Sequence, residues 1–314
     1  MKKNYATYNA LMKHIRSKGI AIGGSSQKSR LKNIGYYHGF KGYRFLGKAN
    51  NKLAFTDFSQ LSSVVDFDEE LKSIMYSPLM KLETAIKSVT CDIIVTTVKS
   101  SNFSDLFQRG FSSDDKRKNY KTRDNVYSSL TKRYQNSVIV SHFYSNDEPI
   151  PLWAIFEELM LGDLSNIIEV LTPDIKLKIS EAFGIPKRLN TNGAILPKII
   201  QAVKDLRNAV AHNRVVYDGR YIEFSKRESI KKMLSQETGV KNIKFETIID
   251  DVILVCFLMK NLRFNKEEIR RIPNSINKAM LNLKSKLPND LFQKVSSGLD
   301  IKKLDELRAY ISKR

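Results

Sequence analysis

The 314-residue chain has only two cysteines, Cys91 and Cys256, and four histidines. Two thiols cannot build the disulfide framework of a small secreted domain, and each lies in an apolar run where a buried free thiol is expected. His14, His38, His142 and His212 pair with no Cys, Asp or His at ligand spacing, so no metal site and no cofactor are expected. The longest unbroken apolar run, Val252 to Met259, is far shorter than the roughly 20 residues a membrane span requires. Polar residues follow Lys2 and Lys3 where a signal peptide would carry its apolar stretch. A soluble, cytoplasmic protein with no membrane partner is expected. A phosphate-binding loop is also missing, because Gly23-Gly24-Ser25-Ser26 lacks the lysine and the preceding strand.

Acid is absent where base is richest. The net charge is +20, and residues 1–56 hold twelve Lys or Arg with no Asp or Glu before Asp57. Among these cations lie Tyr5, Tyr8, Tyr36, Tyr37, Phe40, Tyr43 and Phe45. Cations that neutralise phosphate, mixed with rings that stack on bases, describe a surface for single-stranded nucleic acid. A solvated basic face with its rings turned inward fits the same composition. Lys28, Arg30, Lys32, Tyr36, Tyr37, Lys41, Tyr43 and Arg44 are the candidate RNA contacts here. A second basic stretch, with Lys116, Arg117, Lys118, Lys121 and Arg123, offers another contact surface. Its Tyr120, Tyr127 and Tyr134 recur every seven residues, a helical stripe for which core packing is the expected role.

Most of the chain reads as helix. Thr7 caps a short helix stopping at Gly19, and Ser25 or Ser26 caps the next. Asp66 or Asp68 opens a long apolar-periodic run that Pro78 kinks or divides, followed by a polar connector from Ser100 to about Arg123. Pro151 introduces an apolar helix from Leu152 to Met160, and Thr172-Pro173 opens one that ends at Gly184. Further helices are expected over Ala194 to His212, Ile248 to Leu262, Ile276 to Leu287 and Ile301 to Ile311. Asp218-Gly219, between Val215-Val216-Tyr217 and Arg220-Tyr221-Ile222, has the turn chemistry of a β-hairpin. The expected fold is all-α with that one short hairpin. Its parts are a basic region over residues 1–56, a helical core over 57–225 and a C-terminal helical extension over 226–314.

The chemistry converges on Arg207-Asn208-Ala209-Val210-Ala211-His212-Asn213-Arg214. On a helix, Asn208 and His212 lie about 40° apart, whereas Arg207 is about 140° from His212. Arg207 and His212 therefore converge only across a wide cleft, or if the helix ends at His212. An imidazole can move a proton to or from the oxygens of an RNA linkage, and a guanidinium can hold its phosphate. Asn208 could orient either group. A helix-end Arg and His that merely satisfy carbonyls fit the same spacing.

Three segments resemble the abortive-infection Abi-like family of the AbiD and AbiF type, whose members are similar to HEPN-fold proteins. They are Ile34-Gly35-Tyr36-Tyr37-His38-Gly39-Phe40, the stretch Pro151-Leu152-Trp153 through Gly162-Asp163-Leu164-Ser165, and Arg207 through Arg214. The family's acid after the tryptophan falls on Glu157 by direct count, with Glu158 as the alternative. The resemblance implies a HEPN-like helical bundle, metal-independent endoribonuclease activity and a homodimer with a composite site. It also implies a role in phage defence or as a toxin, and a small structured non-coding RNA as a partner. Arg207 and His212 become the catalytic pair, with Asn208 in support. Glu83 resembles an acid that braces the site, Trp153 a core anchor and Glu157 an internal hydrogen-bond partner. The alternative is a non-catalytic RNA-binding protein that forms a ribonucleoprotein.

Overall fold

A computed structural model describes residues 7–47, 50–222, 227–297 and 299–313. Lys2, Lys3, Tyr5, Lys48 and the boundary drawn at 225/226 lie outside the described residues. In chain order the helices begin with α1 (Tyr8–Ser17), α2 (Gly24–Tyr36), α3 (Phe58–Val98), α4 (Phe103–Asp105) and α5 (Lys116–Arg133). Next come α6 (Val138–Ser145), α7 (Leu152–Glu158), α8 (Leu161–Val170), α9 (Pro173–Ala182) and α10 (Ile195–Ala211). The last are α11 (Glu228–Thr238), α12 (Ile248–Asn261), α13 (Lys266–Lys286), α14 (Asn289–Val295) and α15 (Ile301–Ser312).

The long α3 organises the rest. Its 41 residues make a rod about 60 Å long. It starts well before the expected Asp66 or Asp68, because Asp57 and Gln60 form a capping box. The Asp57 carboxylate accepts from the Ser59 N–H at 2.7 Å, and the Gln60 side chain accepts from the Asp57 N–H at 3.4 Å. Pro78 does not divide the helix. The buried stripe of Leu71, Met75, Leu79, Leu82 and Ile86 continues across it, offsetting the lost backbone bond. Helices α7, α9, α10, α12 and α13 all pack against α3.

Other boundaries also move. Gly23 precedes α2 with no side-chain cap, so neither Ser25 nor Ser26 serves as one. The Ser100–Arg123 connector is shortened, because Asn102 caps α4 and Asp115 caps α5 through the Lys118 N–H at 2.9 Å. The apolar run from Leu152 breaks into α7 and α8, since Leu159 and Met160 are extended. The C-terminal helix expected from Ile276 begins at Asn265-capped Lys266.

The hairpin over residues 215–222 does not form, and no strand occurs among the described residues. Its backbone groups bond elsewhere: the Asp68 carboxylate on α3 accepts from the Val216 and Tyr217 N–H groups, both at 2.8 Å. Two successive turns follow, Gly219 N–H to Val216 C=O and Ile222 N–H to Gly219 C=O. Gly219 sits at φ 66°, and a Cβ there would come within 2.5 Å of the Glu246 carbonyl oxygen. Asp218-Gly219 thus serves a close approach to the segment before α12.

Asp68 also accepts from the Tyr43 hydroxyl at 2.7 Å and pairs with Lys72 at 3.1 Å. Tyr43 is fully buried, and burial with the Asp68 charge beside it drives its hydroxyl pKa far up, so it stays a donor. Tyr43 is therefore a tether from the N-terminal region to α3 and is closed to RNA. Arg220 strengthens the same junction by donating to the Gly42 and Phe45 carbonyls at 2.7 and 2.9 Å. Asp68→Ala would strand the buried Lys72 and two backbone N–H groups. A loss of about 3–5 kcal/mol is expected, measured by urea unfolding, with part recovered when Lys72→Met is added.

Candidate functional site

Helix α10 buries Ile195, Leu196, Ile199, Ile200, Val203, Leu206 and Val210 along one side. It ends at His212. The Arg214 N–H bonds to the Ala209 carbonyl at 2.8 Å and the Asn213 N–H to that of Val210 at 3.3 Å. With Asn213 at φ 51°, this is a Schellman ending with asparagine in the left-handed position. The Ala209 and Val210 carbonyls are thereby satisfied by backbone rather than by the His212 side chain. Its imidazole is exposed and has no hydrogen bond, ion pair or ring contact among the described residues.

Arg207 is held differently. Its Nε donates to the Glu83 carboxylate at 2.9 Å, and Nη1 donates to the Asn208 side-chain oxygen at 3.2 Å. Glu83 is also paired with Lys87 at 3.3 Å, one turn further along α3. The structure thus brings Glu83, Arg207 and Asn208 into one chain of contacts. At the other end of the seam, Lys72 donates to the Asn213 side-chain oxygen, next to His212. The α10 terminus is therefore pinned to α3 at both Arg207 and Asn213. Sequence reasoning missed Lys72, Asp68 and Lys87; the i,i+4 pairs Asp68/Lys72 and Glu83/Lys87 carry the signal.

The basic candidates separate by environment. Lys28, Lys32, Tyr37 and Lys41 are exposed, as are Lys116, Arg117 and Lys121. Arg30 is engaged by Asp66 and by Glu69, the latter at 3.8 Å. Arg44 lies over the rings of Phe40 and Phe45 at 5.5 and 5.3 Å, and Tyr36 is partly buried beside Phe40. Lys118 pairs with Glu169 at 2.5 Å, and Arg123 with Asp124 at 3.1 Å. Tyr120, Tyr127 and Tyr134 are not core residues: they are 49%, 46% and 44% exposed. Helix α5 instead buries Asn119, Thr122, Val126 and Leu130, so the tyrosines fall on the rim of its packed face.

A model of the Abi-like protein family matches residues 29–218. The chain belongs to that family. Membership associates this Abi-like chain with abortive infection, the defence of a bacterium against phage. The match runs from within α2 to the turns beyond α10 and leaves α1 and α11–α15 outside it. No curated protein and no solved structure matches the chain. Among the described residues no group of His, Cys, Asp or Glu is placed to hold a metal, and no helix is long and apolar enough to cross a membrane.

In this Abi-like protein the tryptophan segment differs from expectation. Trp153 is 55% exposed, edge-on to Phe143 at 6.1 Å, because Leu152, Ala154, Ile155 and Phe156 fill the buried side of α7. Glu157 is exposed, its backbone carbonyl accepts from Lys87 at 3.1 Å, and its carboxylate has no partner among the described residues. Glu158 makes the internal bonds, to the Ser137 hydroxyl at 2.6 Å and to Arg133 at 3.0 Å. Glu158→Ala should lower stability by about 1–3 kcal/mol and Glu157→Ala by less than about 0.5 kcal/mol, both read as shifts in thermal midpoint.

Proposed function

We propose that this Abi-like protein binds RNA and cleaves it without a metal ion, with Arg207 and His212 acting on one phosphodiester. The observation that carries the reading is the exposed, unpartnered His212 at the end of the helix that holds Arg207 against Glu83 and Asn208. The imidazole takes the 2′-hydroxyl proton as the 2′-oxygen attacks phosphorus, and the bond to the 5′-oxygen breaks. The 5′-oxygen leaves with a proton, and the products are a 2′,3′-cyclic phosphate and a 5′-hydroxyl. Arg207 offsets the charge that builds on the phosphate, while Glu83 and Asn208 fix its plane. One histidine does not serve both proton transfers at once, so a homodimer supplying a second His212 completes the reaction. The HEPN-like arrangement, a role in phage defence or as a toxin and a cytoplasmic location belong to the same reading.

The Glu83–Arg207 pair favours a second reading. A guanidinium already neutralised by a carboxylate suits a protein that binds RNA without cutting it, in a ribonucleoprotein with a small non-coding RNA. In both readings Lys28, Lys32, Lys41, Lys116, Arg117 and Lys121 meet phosphate, so affinity falls steeply with salt.

His212→Ala separates the two. On the nuclease reading it lowers cleavage in EDTA by about 100-fold or more, leaves RNA affinity unchanged, and a 2′-deoxy linkage at the cut site resists the parent protein. Undiminished cutting by the variant would overturn the assignment. Tight binding by the parent with no cutting would favour the ribonucleoprotein.

A further inference from the structure

The geometry points to the tyrosine edge of α5 as a stacking track for a single-stranded polyribonucleotide, leading toward Arg207. The inference rests on the RNA reading above and adds the form of RNA and the groups that grip its bases. Tyr120, Tyr127 and Tyr134 drift by only about 20° per step, so all three lie within about 40° of arc and roughly 10 Å apart along the axis. Each ring touches a second ring and is still close to half exposed. Tyr120 meets Phe107 at 5.3 Å, Tyr127 meets Phe103 at 5.6 Å, and Tyr134 meets Tyr144 at 4.9 Å. Braced rings lose little freedom when a base stacks on them, and every base offers a face. Arg123 lies over Tyr120 at 4.8 Å, so a base reaching that position stacks on the guanidinium plane or takes its place over the ring.

The charge pattern suits a polyanion. Lys116, Arg117, Lys121 and Lys132 are exposed and form no ion pair among the described residues. Of the nearby acids, Asp115 caps α5, Asp124 pairs with Arg123, Glu169 with Lys118 and Glu158 with Arg133, whereas Asp147, Glu148 and Glu157 near the Tyr134 end are exposed. Asp114 accepts from the Ser112 hydroxyl at 2.6 Å, at the end of α5 remote from Tyr134. The C-terminal end of the track is tied to the candidate site through consecutive contacts. Arg133 meets Glu158, the neighbouring Glu157 carbonyl meets Lys87, Lys87 meets Glu83, and Glu83 meets Arg207, each within 3.3 Å.

The test uses the full chain and an uncleavable 2′-O-methyl oligouridylate, compared with an RNA duplex of equal length. Tyr120→Leu, Tyr127→Leu and Tyr134→Leu together keep the apolar contacts behind the rings and remove the stacking faces. The matching triple Phe variant keeps those faces. Single-strand affinity should fall about tenfold or more in the Leu variant and stay within about twofold in the Phe variant. Duplex affinity should not change, and the slope of log affinity against log salt should be the same in all three proteins, since no charge is removed. Equal single-strand binding by the Leu variant overturns the proposal, as does equal loss in the Phe variant. A change in sedimentation with RNA affinity unaltered would make the edge a protein interface and overturn it too. If the parent protein binds neither single strand nor duplex, the RNA reading itself fails.

Discussion

One buried carboxylate fixes the relation between the motif helix and the rest of the molecule. Asp68 receives two backbone N–H groups from the chain just past α10, a hydroxyl from the N-terminal region and the ammonium of Lys72. A lone carboxylate in that position would be costly to bury; four donors make it a junction. Lys72 passes the constraint on to Asn213, and so to the turn in which His212 sits. The position of the imidazole thus depends on a residue on another helix and more than 140 positions earlier in the chain.

The helices α10 and α12 were legible in the sequence, as were the Thr7 cap, the end of α10 at His212 and the family's three segments. The departures have definite physical causes. Asp218-Gly219 has hairpin chemistry, but strand pairing needs free backbone donors, and Asp68 takes two of them from a distance in sequence that no local pattern reveals. Asp57 and Gln60 outweigh Asp66 and Asp68 because only the former close a capping box. The tyrosine repeat on α5 shows one face but not whether that face is covered; Val126 and Leu130 occupy the covered side. Trp153 was misplaced for the same reason, since four apolar neighbours compete for the interior of a two-turn helix.

The acid-free N-terminal region keeps most of its described cations exposed but commits two arginines and one tyrosine to the fold. Acids from α3 reach back to Arg30, and rings cover Arg44, while Tyr43 is spent on Asp68. Among the described residues Lys13, Arg16, Lys18, Lys28, Lys32, Lys41 and Lys52 still face solvent, together with Tyr37. In the C-terminal helices the balance is reversed: Asp250 and Asp251 are buried at the start of α12 and meet Lys303 at 2.7 Å and Arg227 at 3.2 Å. Burial lifts the Asp251 carboxyl to about 6 even with Arg227 opposing it. These charges serve cohesion between helices, whereas those around α5 and the N-terminus remain available to a polyanion.

The unbroken α3 has a consequence for how the chain can be divided. The N-terminal tether, the α10 terminus and the helices α12 and α13 all lean on the same rod, the first two at one place, around Asp68 and Lys72. Cutting away any of these segments would bare part of the greasy strip along α3. The motif helix and the helices that follow it therefore share one support, so removal of either group uncovers part of it.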